Sequence, residues 1–493
     1  MKNYNYLRYL CIAALFVAVS CSKKETPPPN IVIIFSDDQG YSDVGVFGAK
    51  GFKTPNLDVM ASEGMKFTDF YVGSPVCSPS RAALLTGCYP QRVGIPQVLF
   101  PERMNMEWDA SQTSTKTGIN PDEITMAEML KANGYATGVF GKWHLGHHKQ
   151  FLPLQQGFDE YYGLPYSNDM RPGKNANTAK NPYPGLPMMN GNKIDRFMDD
   201  DQSMLTFEYT EKAIDFIKRN RDNPFFVYLP HSMPHIPLYA SEKFNGQSEK
   251  GIYGDVIEEI DWSVGQINKT LKDLNLEENT LVIFTCDNGP WLIFGDHGGS
   301  ADPLREGKFT TFEGGQRVPC IMKWPNKIPK ASVTNEMAST IDLLPTIATI
   351  TGSKLPQNKI DGMDISGLLM GQGDKSPRDE FFFYKGWKLE AIRSGKWKLH
   401  LPHGYSQVVK SDSGNVHGRL NIKAEIELSL FNLSTDISET TNVADQNPEV
   451  VKSLMTKIET MKAELGNDEK TGVGKRPSGW QRKQEAWPFE DGI

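Results

Sequence analysis

The segment Ile31-Val32-Ile33-Ile34-Phe35-Ser36-Asp37-Asp38-Gln39-Gly40-Tyr41 passes from an unbroken apolar run directly into two adjacent carboxylates. A run without polar alternation suits a central strand of a parallel sheet, buried on both faces. Asp37 and Asp38 then fall at the carboxyl end of that strand, where ligand crevices of open α/β sheets gather. In isolation Asp-Asp-x-Gly reads as a solvated turn, yet neighbouring carboxylates repel one another unless a cation holds them.

Downstream, helical and strand patterns alternate. Thr54 can cap a helix that Pro55 opens and Gly64 ends. Residues 124–133 read as helix and 135–140 as strand, then 205–220 as helix and 224–229 as strand. Residues 253–274 form a long amphipathic helix, with Ile257, Ile260, Val264, Ile267 and Leu271 three or four apart on one face. Strands at 280–285 and 318–324 and a helix at 340–351 complete the series. The alternation predicts an α/β domain, residues 30–375, with a mainly parallel sheet between helical layers. From about Ser376 the strands crowd together, at 380–384, 389–393, 396–401 and 427–432, before a helix at 449–465. Residues 376–465 therefore read as a small antiparallel sheet with one helix, and 466–493 as a polar, loose tail.

A chain of 493 residues accommodates one large domain and a smaller one. A formal charge of -7 without a long basic run argues against a nucleic-acid partner. Residues 1–20 read as a signal peptide: Lys2 and Arg8 give a positive start, and the apolar run 10–19 is too short to span a bilayer. Ala18-Val19-Ser20-Cys21 resembles a bacterial lipobox, which implies cleavage before Cys21 and a lipid on its thiol. Residues 21–29 then form a solvated tether. The expected location is the periplasm or cell surface of a bacterium, with membrane contact only through that anchor; the alternative is a plain secretory signal. Cysteines stand at 11, 21, 77, 88, 286 and 320. The last four show no paired spacing, so neither a disulfide framework nor a zinc pattern is expected.

The segment Cys77-Ser78-Pro79-Ser80-Arg81-Ala82-Ala83-Leu84-Leu85-Thr86-Gly87 carries the chemistry. Ser78 and Pro79 read as an N-cap and a first helical residue. That places Cys77 at the positive end of a helix, where backbone N–H groups favour an anion, with Arg81 one turn further in. A Cys before a helix is by itself more often buried and inert. The segment as a whole, Cys-x-Pro-Ser-Arg followed by three residues and Leu-Thr-Gly, resembles the signature of the type I sulfatase family. The resemblance implies an alkaline-phosphatase-like sandwich fold and conversion of Cys77 to formylglycine (3-oxoalanine) by a maturation enzyme.

Asp287-Asn288-Gly289 follows strand 280–285 as Asp37-Asp38 follows the first strand, although alone it reads as a tight turn. Together the pairs offer four oxygen ligands, three of them charged, a hard set that suits Ca²⁺ or Mg²⁺ rather than Zn²⁺. The family resemblance implies that Asp37, Asp38, Asp287 and Asn288 hold calcium, which also binds residue 77 and the sulfate. Three further segments match family motifs: Lys142 and His144 in Phe-Gly-Lys-Trp-His-Leu-Gly, His235 in Pro-His-Ser-Met-Pro-His-Ile-Pro-Leu, and Lys308 in Gly-Lys-Phe-Thr-Thr-Phe-Glu-Gly-Gly. His147 and His148 fit no common zinc spacing and are expected at the surface. The likeness spans roughly residues 30–465. It is greatest to the arylsulfatase A and N-acetylgalactosamine-6-sulfatase branch, through Gln155-Gln156-Gly157-Phe158, residues 163–169 and the aromatic run 381–384.

The implied activity is hydrolysis of sulfate esters. Such a reaction needs a regenerable nucleophile: a hydrated aldehyde has two hydroxyls on one carbon, one to attack sulfur and one to expel sulfate. By resemblance, the metal, Lys142 and Lys308 neutralise developing charge, and Arg81 belongs to the same catalytic set. His235 with Lys308 protonates the leaving alcohol, His144 is the base for elimination, and Asp287 takes the attacking hydroxyl's proton; sequence alone permits the two histidines to exchange roles. The expected substrate is a sulfated carbohydrate, a galactose or N-acetylgalactosamine sulfate at O3 or O6, lined by Ser167, Asn168, Asp169 and Arg171. Two rivals differ in class. A phosphatase or phosphodiesterase of the alkaline phosphatase superfamily would need Ser or Thr in place of Cys77 and a His-rich second metal set. An inactive glycan-binding lipoprotein would have lost Cys77, Lys142 or Lys308.

Overall fold

The computed structural model describes residues 27–102, 113–173, 183–468 and 470–481; the signal segment and the Cys21 anchor lie outside the described residues. Ten described strands form one sheet: β1 (Asn30–Ser36), β2 (Met65–Phe67), β3 (Ala136–Phe140), β4 (Glu160–Gly163), β5 (Pro187–Asn190), β6 (Lys193–Phe197), β7 (Phe225–Pro230), β8 (Thr280–Cys286), β9 (Cys320–Lys323) and β10 (Ser332–Thr334). Their spatial order is β10-β2-β9-β8-β1-β7-β3-β4-β5-β6. The run from β8 to β4 is parallel throughout. The strand foreseen at 318–324, β9, joins it antiparallel, as does the β5–β6 hairpin at the other flank.

Helices cover both faces: α1 (Pro55–Ser62), α2 (Cys77–Thr86), α3 (Met126–Ala132), α4 (Leu205–Arg219), α5 (Gly251–Asp273) and α6 (Leu343–Thr351). The alternation of β1 explains why its run is continuously apolar. Ile31, Ile33 and Phe35 enter one core layer with Leu84, Leu130 and Ile347 of α2, α3 and α6. Val32 and Ile34 enter the opposite layer with Ile217 of α4 and Ile260, Val264 and Ile267 of α5. Each fully buried side chain of this size stabilises the fold by roughly 1.5–3 kcal/mol, so a polar substitution on either face would be costly. Thr54 precedes α1 as foreseen, but its hydroxyl accepts from Gly45 N at 2.7 Å and caps no helical N–H.

The C-terminal region contains β11 (Glu380–Lys385), β12 (Lys388–Ser394), β13 (Trp397–His400), β14 (His403–Lys410), β15 (Arg419–Ile426), β16 (Ser429–Asn432) and α7 (Pro448–Leu465). β11-β12-β13-β16 form an antiparallel sheet, and β14 and β15 a separate hairpin that the polar sequence did not announce. Phe381, Phe383 and Leu389 share a core with Leu454 and Ile458 of α7 and with Tyr71, Ala83 and Tyr89. Buried ion pairs cross the same seam, Lys398 with Glu313 at 3.0 Å and Arg393 with Asp69 at 2.6 Å.

The tail expected to be loose is held as far as residue 481. Gly479–Trp480 pairs with Thr117–Gly118, and Arg476 Nε meets Glu123 at 2.6 Å. These partners lie more than 350 residues away, where no local pattern could announce them.

Candidate active site

β1 and β8 are parallel neighbours with Ser36 opposite Cys286, so the turns that follow emerge side by side. Asp38 takes a left-handed backbone, φ 61, and its N–H donates to Asp287 Oδ1 at 3.1 Å. That conformation is uncommon outside glycine and tends to persist where surrounding contacts over-determine it. Asn288 Nδ2 donates to Asp38 Oδ1 at 2.7 Å. Asp37 Oδ2 receives Lys142 Nζ and, at 3.1 Å, Arg81 Nη2. All these side chains are buried.

Two acceptors remain unanswered: Asp37 Oδ1 and Asn288 Oδ1 are buried without a hydrogen-bond partner. Asp37, Asp38 and His235 each bring a ligating atom within 4.8 Å of the others. Orphaned oxygens beside three carboxylates and a single imidazole fit a hard divalent cation better than zinc. Burial opposes ionisation of Asp37, but Lys142 and Arg81 overcome it and hold its pKa low. Burial and the Asp37 charge push Asp287 up, a repulsion that a bound cation would relieve.

α2 begins earlier than the sequence pattern places it. Cys77 is its first residue and Val76, in extended conformation, precedes it. Ser78 does not cap, because its Oγ accepts from Leu99 N at 3.1 Å. Gly87 ends the helix at φ 65. Burial pushes the Cys77 thiol up to about 11, outweighing Lys142 and Lys308, so an unmodified Cys here is a protonated and sluggish nucleophile.

Lys308 Nζ contacts both Asp38 oxygens, at 2.7 and 2.8 Å. The Nδ1–H of His235 donates to Ile236 O at 2.6 Å, which turns Nε2 to within 3.6 Å of Asp38 Oδ2. Burial and Lys308 lower the His235 pKa, against Asp38. His144, at φ 61, donates from Nε2 to Leu99 O at 2.9 Å; its Nδ1 is buried without a partner. Burial, Lys142 and Arg81 hold His144 well below the usual imidazole range, so Nδ1 carries a free lone pair.

Of the residues expected to line the substrate, Ser167 Oγ accepts from Lys142 Nζ at 3.0 Å. Asn168 spends its amide N–H groups on Gln202 and on the carbonyls of His235 and Pro237, bracing the His235 loop. Asp169 keeps Oδ1 buried without a partner, and Arg171 Nη2 donates to Tyr239 at 3.2 Å. His147 and His148, expected at the surface, are both buried, with ring centroids 4.3 Å apart. His148 Nε2 reaches Thr115 O at 3.1 Å, a tertiary partner that makes burial affordable. Sequence reasoning passed over Trp291, whose ring lies 5.5 Å from that of His235 and over Lys308. The available signal was its place two residues beyond the Asp287-Asn288-Gly289 turn.

Comparison with known proteins agrees with this geometry. The Sulfatase family model matches residues 29–353, and that for the C-terminal region of aryl-sulfatase matches 376–485. The chain is 39% identical to arylsulfatase A of Homo sapiens, over 92% of this chain and 91% of that protein. It is 41% identical to N-acetylgalactosamine-6-sulfatase of Canis lupus familiaris, over 76% of this chain and 72% of that protein. Among solved structures, the PsFucS1 sulfatase from Pseudoalteromonas sp. superposes with a TM-score of 0.76 at 27% identity, covering 88% of this chain and 90% of that one.

Proposed function

The chain belongs to the sulfatase family and is a sulfuric ester hydrolase; from that premise we propose that it cleaves sulfate esters of carbohydrates with formylglycine at position 77 and one Ca²⁺, or Mg²⁺, held by Asp37, Asp38, Asp287 and Asn288. The observation that carries the reading is the placement of Cys77. It opens α2 under the influence of Lys142 and Lys308, beside a carboxylate cluster with two unanswered oxygens. In place, the hydrated aldehyde supplies a nucleophilic hydroxyl and the cation neutralises sulfate oxygens.

The protein's own residues do the rest. Lys142, anchored on Asp37 and Ser167, and Lys308, anchored on Asp38, present fixed positive charge to the transferring sulfuryl group. Arg81 holds Asp37 and Asp287 in orientation. His235 protonates the leaving alcohol through Nε2, because Nδ1 is committed to Ile236 O. An arriving sulfate anion favours the charged imidazolium, offsetting the lowering by burial and Lys308. His144, neutral with a bare Nδ1, is suited to take the proton that accompanies sulfate release.

Likeness to N-acetylgalactosamine-6-sulfatase supports a galacto-configured sugar sulfate, with Ser167, Asp169 and Arg171 nearest the role of lining it. A formylglycine-generating enzyme is the implied maturation partner. Residues 30–375 form the catalytic part and 376–465 a second unit sharing its core. The lipobox-like segment supports export and anchoring through Cys21; among the described residues no helix is long and apolar enough to cross a membrane.

Two measurements test the proposal. Mass spectrometry of the residue-77 peptide from the native host should find formylglycine; unmodified Cys in fully active enzyme would refute it. A panel of 3-, 4- and 6-sulfated galactose, N-acetylgalactosamine and N-acetylglucosamine, with an aryl sulfate, should release sulfate fastest from a galacto sugar. Reaction with only the aryl or gluco compounds would remove the galactose assignment.

A further inference from the structure

We infer that Trp291 is a positioning residue for leaving-group protonation, acting through His235, and that the β14–β15 hairpin holds it in place. The inference rests on the proposed role of His235.

Trp291 touches both groups on the leaving side of the site. The Lys308 ammonium lies 4.5 Å from the indole centroid, and the His235 ring is 5.5 Å away, tilted by 54°. His235 has one hydrogen bond of its own, from Nδ1 to Ile236 O, and a looser 3.6 Å approach to Asp38. One such bond fixes the ring poorly against rotation, and the adjacent indole restricts where Nε2 can point. The Lys308–Asp38 pair beside it is buried, and a cation over an aromatic ring is attracted more strongly when water is kept away.

Trp291 is held in turn. Phe294 and Phe309 pack edge-on against it at 4.9 and 5.5 Å. Phe309 N donates to Pro75 O at 3.0 Å, tying this wall to the segment that leads into Cys77. From the other side comes the tip of the β14–β15 hairpin. Asn415 Nδ2 donates to Ile293 O at 2.7 Å, and His417 packs on Phe294 and His297 with ring centroids 5.6 and 4.9 Å apart. A hairpin from the C-terminal region thus braces a loop whose first residue lines the acid side of the site. As the S–O bond breaks, its electron pair stays on the leaving oxygen, which takes the His235 Nε2 proton. The alcohol departs uncharged and His235 is left neutral.

A sugar alcohol is a poor leaving group and needs that proton; the phenolate of an acidic phenol hardly does. The experiment compares kcat and KM of Trp291→Ala and Trp291→Phe on a sulfated galactose and on 4-nitrophenyl sulfate. Trp291→Ala should lower kcat on the sugar roughly 10–100-fold, with KM within about threefold and a loss on the aryl sulfate under about threefold. Trp291→Phe should recover most of the sugar activity. Asn415→Ala, remote from the chemistry and on a partly exposed tip, should show the same selectivity on a smaller scale, about threefold. Equal losses on both substrates, or a rise in KM alone, would overturn the inference while leaving the sulfatase reading intact. Wild-type protein that cleaves the aryl sulfate but no sugar sulfate would overturn the carbohydrate reading and this inference with it.

Discussion

Arg81 donates from both Nε and Nη2 to a single oxygen, Oδ2 of Asp287, at 3.1 and 2.8 Å, and its Nη2 also reaches Asp37 Oδ2 at 3.1 Å. Both ends of this arrangement are fully buried. The guanidinium therefore serves as the fixed counter-charge of two carboxylates of the proposed metal site. Arg81→Met should destabilise the protein by about 3–5 kcal/mol, since it strands buried negative charge. Arg81→Lys should fall between, because an ammonium restores charge without the fork. Denaturant midpoints measured with chelator and with excess Ca²⁺ check this: the deficit should shrink when calcium is present. An equal deficit in both conditions would separate Arg81 from the metal site.

Asp38 joins Lys308, Asn288 and His235 within one cluster. Asp38→Asn should cost at least about 100-fold in kcat, since it weakens both the hold on the proposed cation and the anchor of Lys308, the positive charges offered to the reacting group. Its effect on chelator-treated stability should be smaller than that of Arg81→Met, because one carboxylate leaves a crowded set. Elemental analysis of wild type should find about one alkaline-earth ion per chain. Stoichiometric zinc with neither calcium nor magnesium would contradict the ligand reading.

His231 is wholly buried, with its Nε2 at 3.1 Å from Ser263 Oγ, and burial lowers its pKa from 6.5 to about 3. A depressed base favours the neutral form in the fold. Its contribution is present above pH 6.5 and is lost as pH falls toward 3, at about 1.4 kcal/mol per pH unit at most. His403, lowered to about 4 by burial, acts in the same direction. Thermal unfolding of calcium-saturated protein should show falling stability from pH 6.5 to 4, and His231→Gln should flatten that slope. The same slope in the variant would assign the acid sensitivity elsewhere.

Cys21→Ala should release a soluble, exported form if the lipobox-like segment is processed as proposed, because a lipid chain is then the membrane attachment. Fractionation of the native host, followed by immunoblotting, reads this directly. Membrane association unchanged by the substitution would exclude Cys21 as the anchor.

What the sequence determined by itself was what is written locally. Residues 31–35 declare a doubly buried strand because every side chain in them is apolar, and residues 77–87 declare the family because so many positions of its signature are specified. The amphipathic period of α5 is likewise local: its apolar face follows from 3.6 residues per turn. Tertiary structure decided which local pieces meet. Asp37-Asp38 and Asp287-Asn288 lie 250 residues apart and form one cluster because β1 and β8 pair in parallel register. Burial of His147 and His148, the bracing role of Asn168 and the docking of residues 466–481 depend on partners from distant segments. Such side chains carry no period of their own. Trp291 is the sharpest case. Its residue type says only that a large ring must be sheltered, and the packing of His235, Lys308 and the hairpin around it determines what that ring can do.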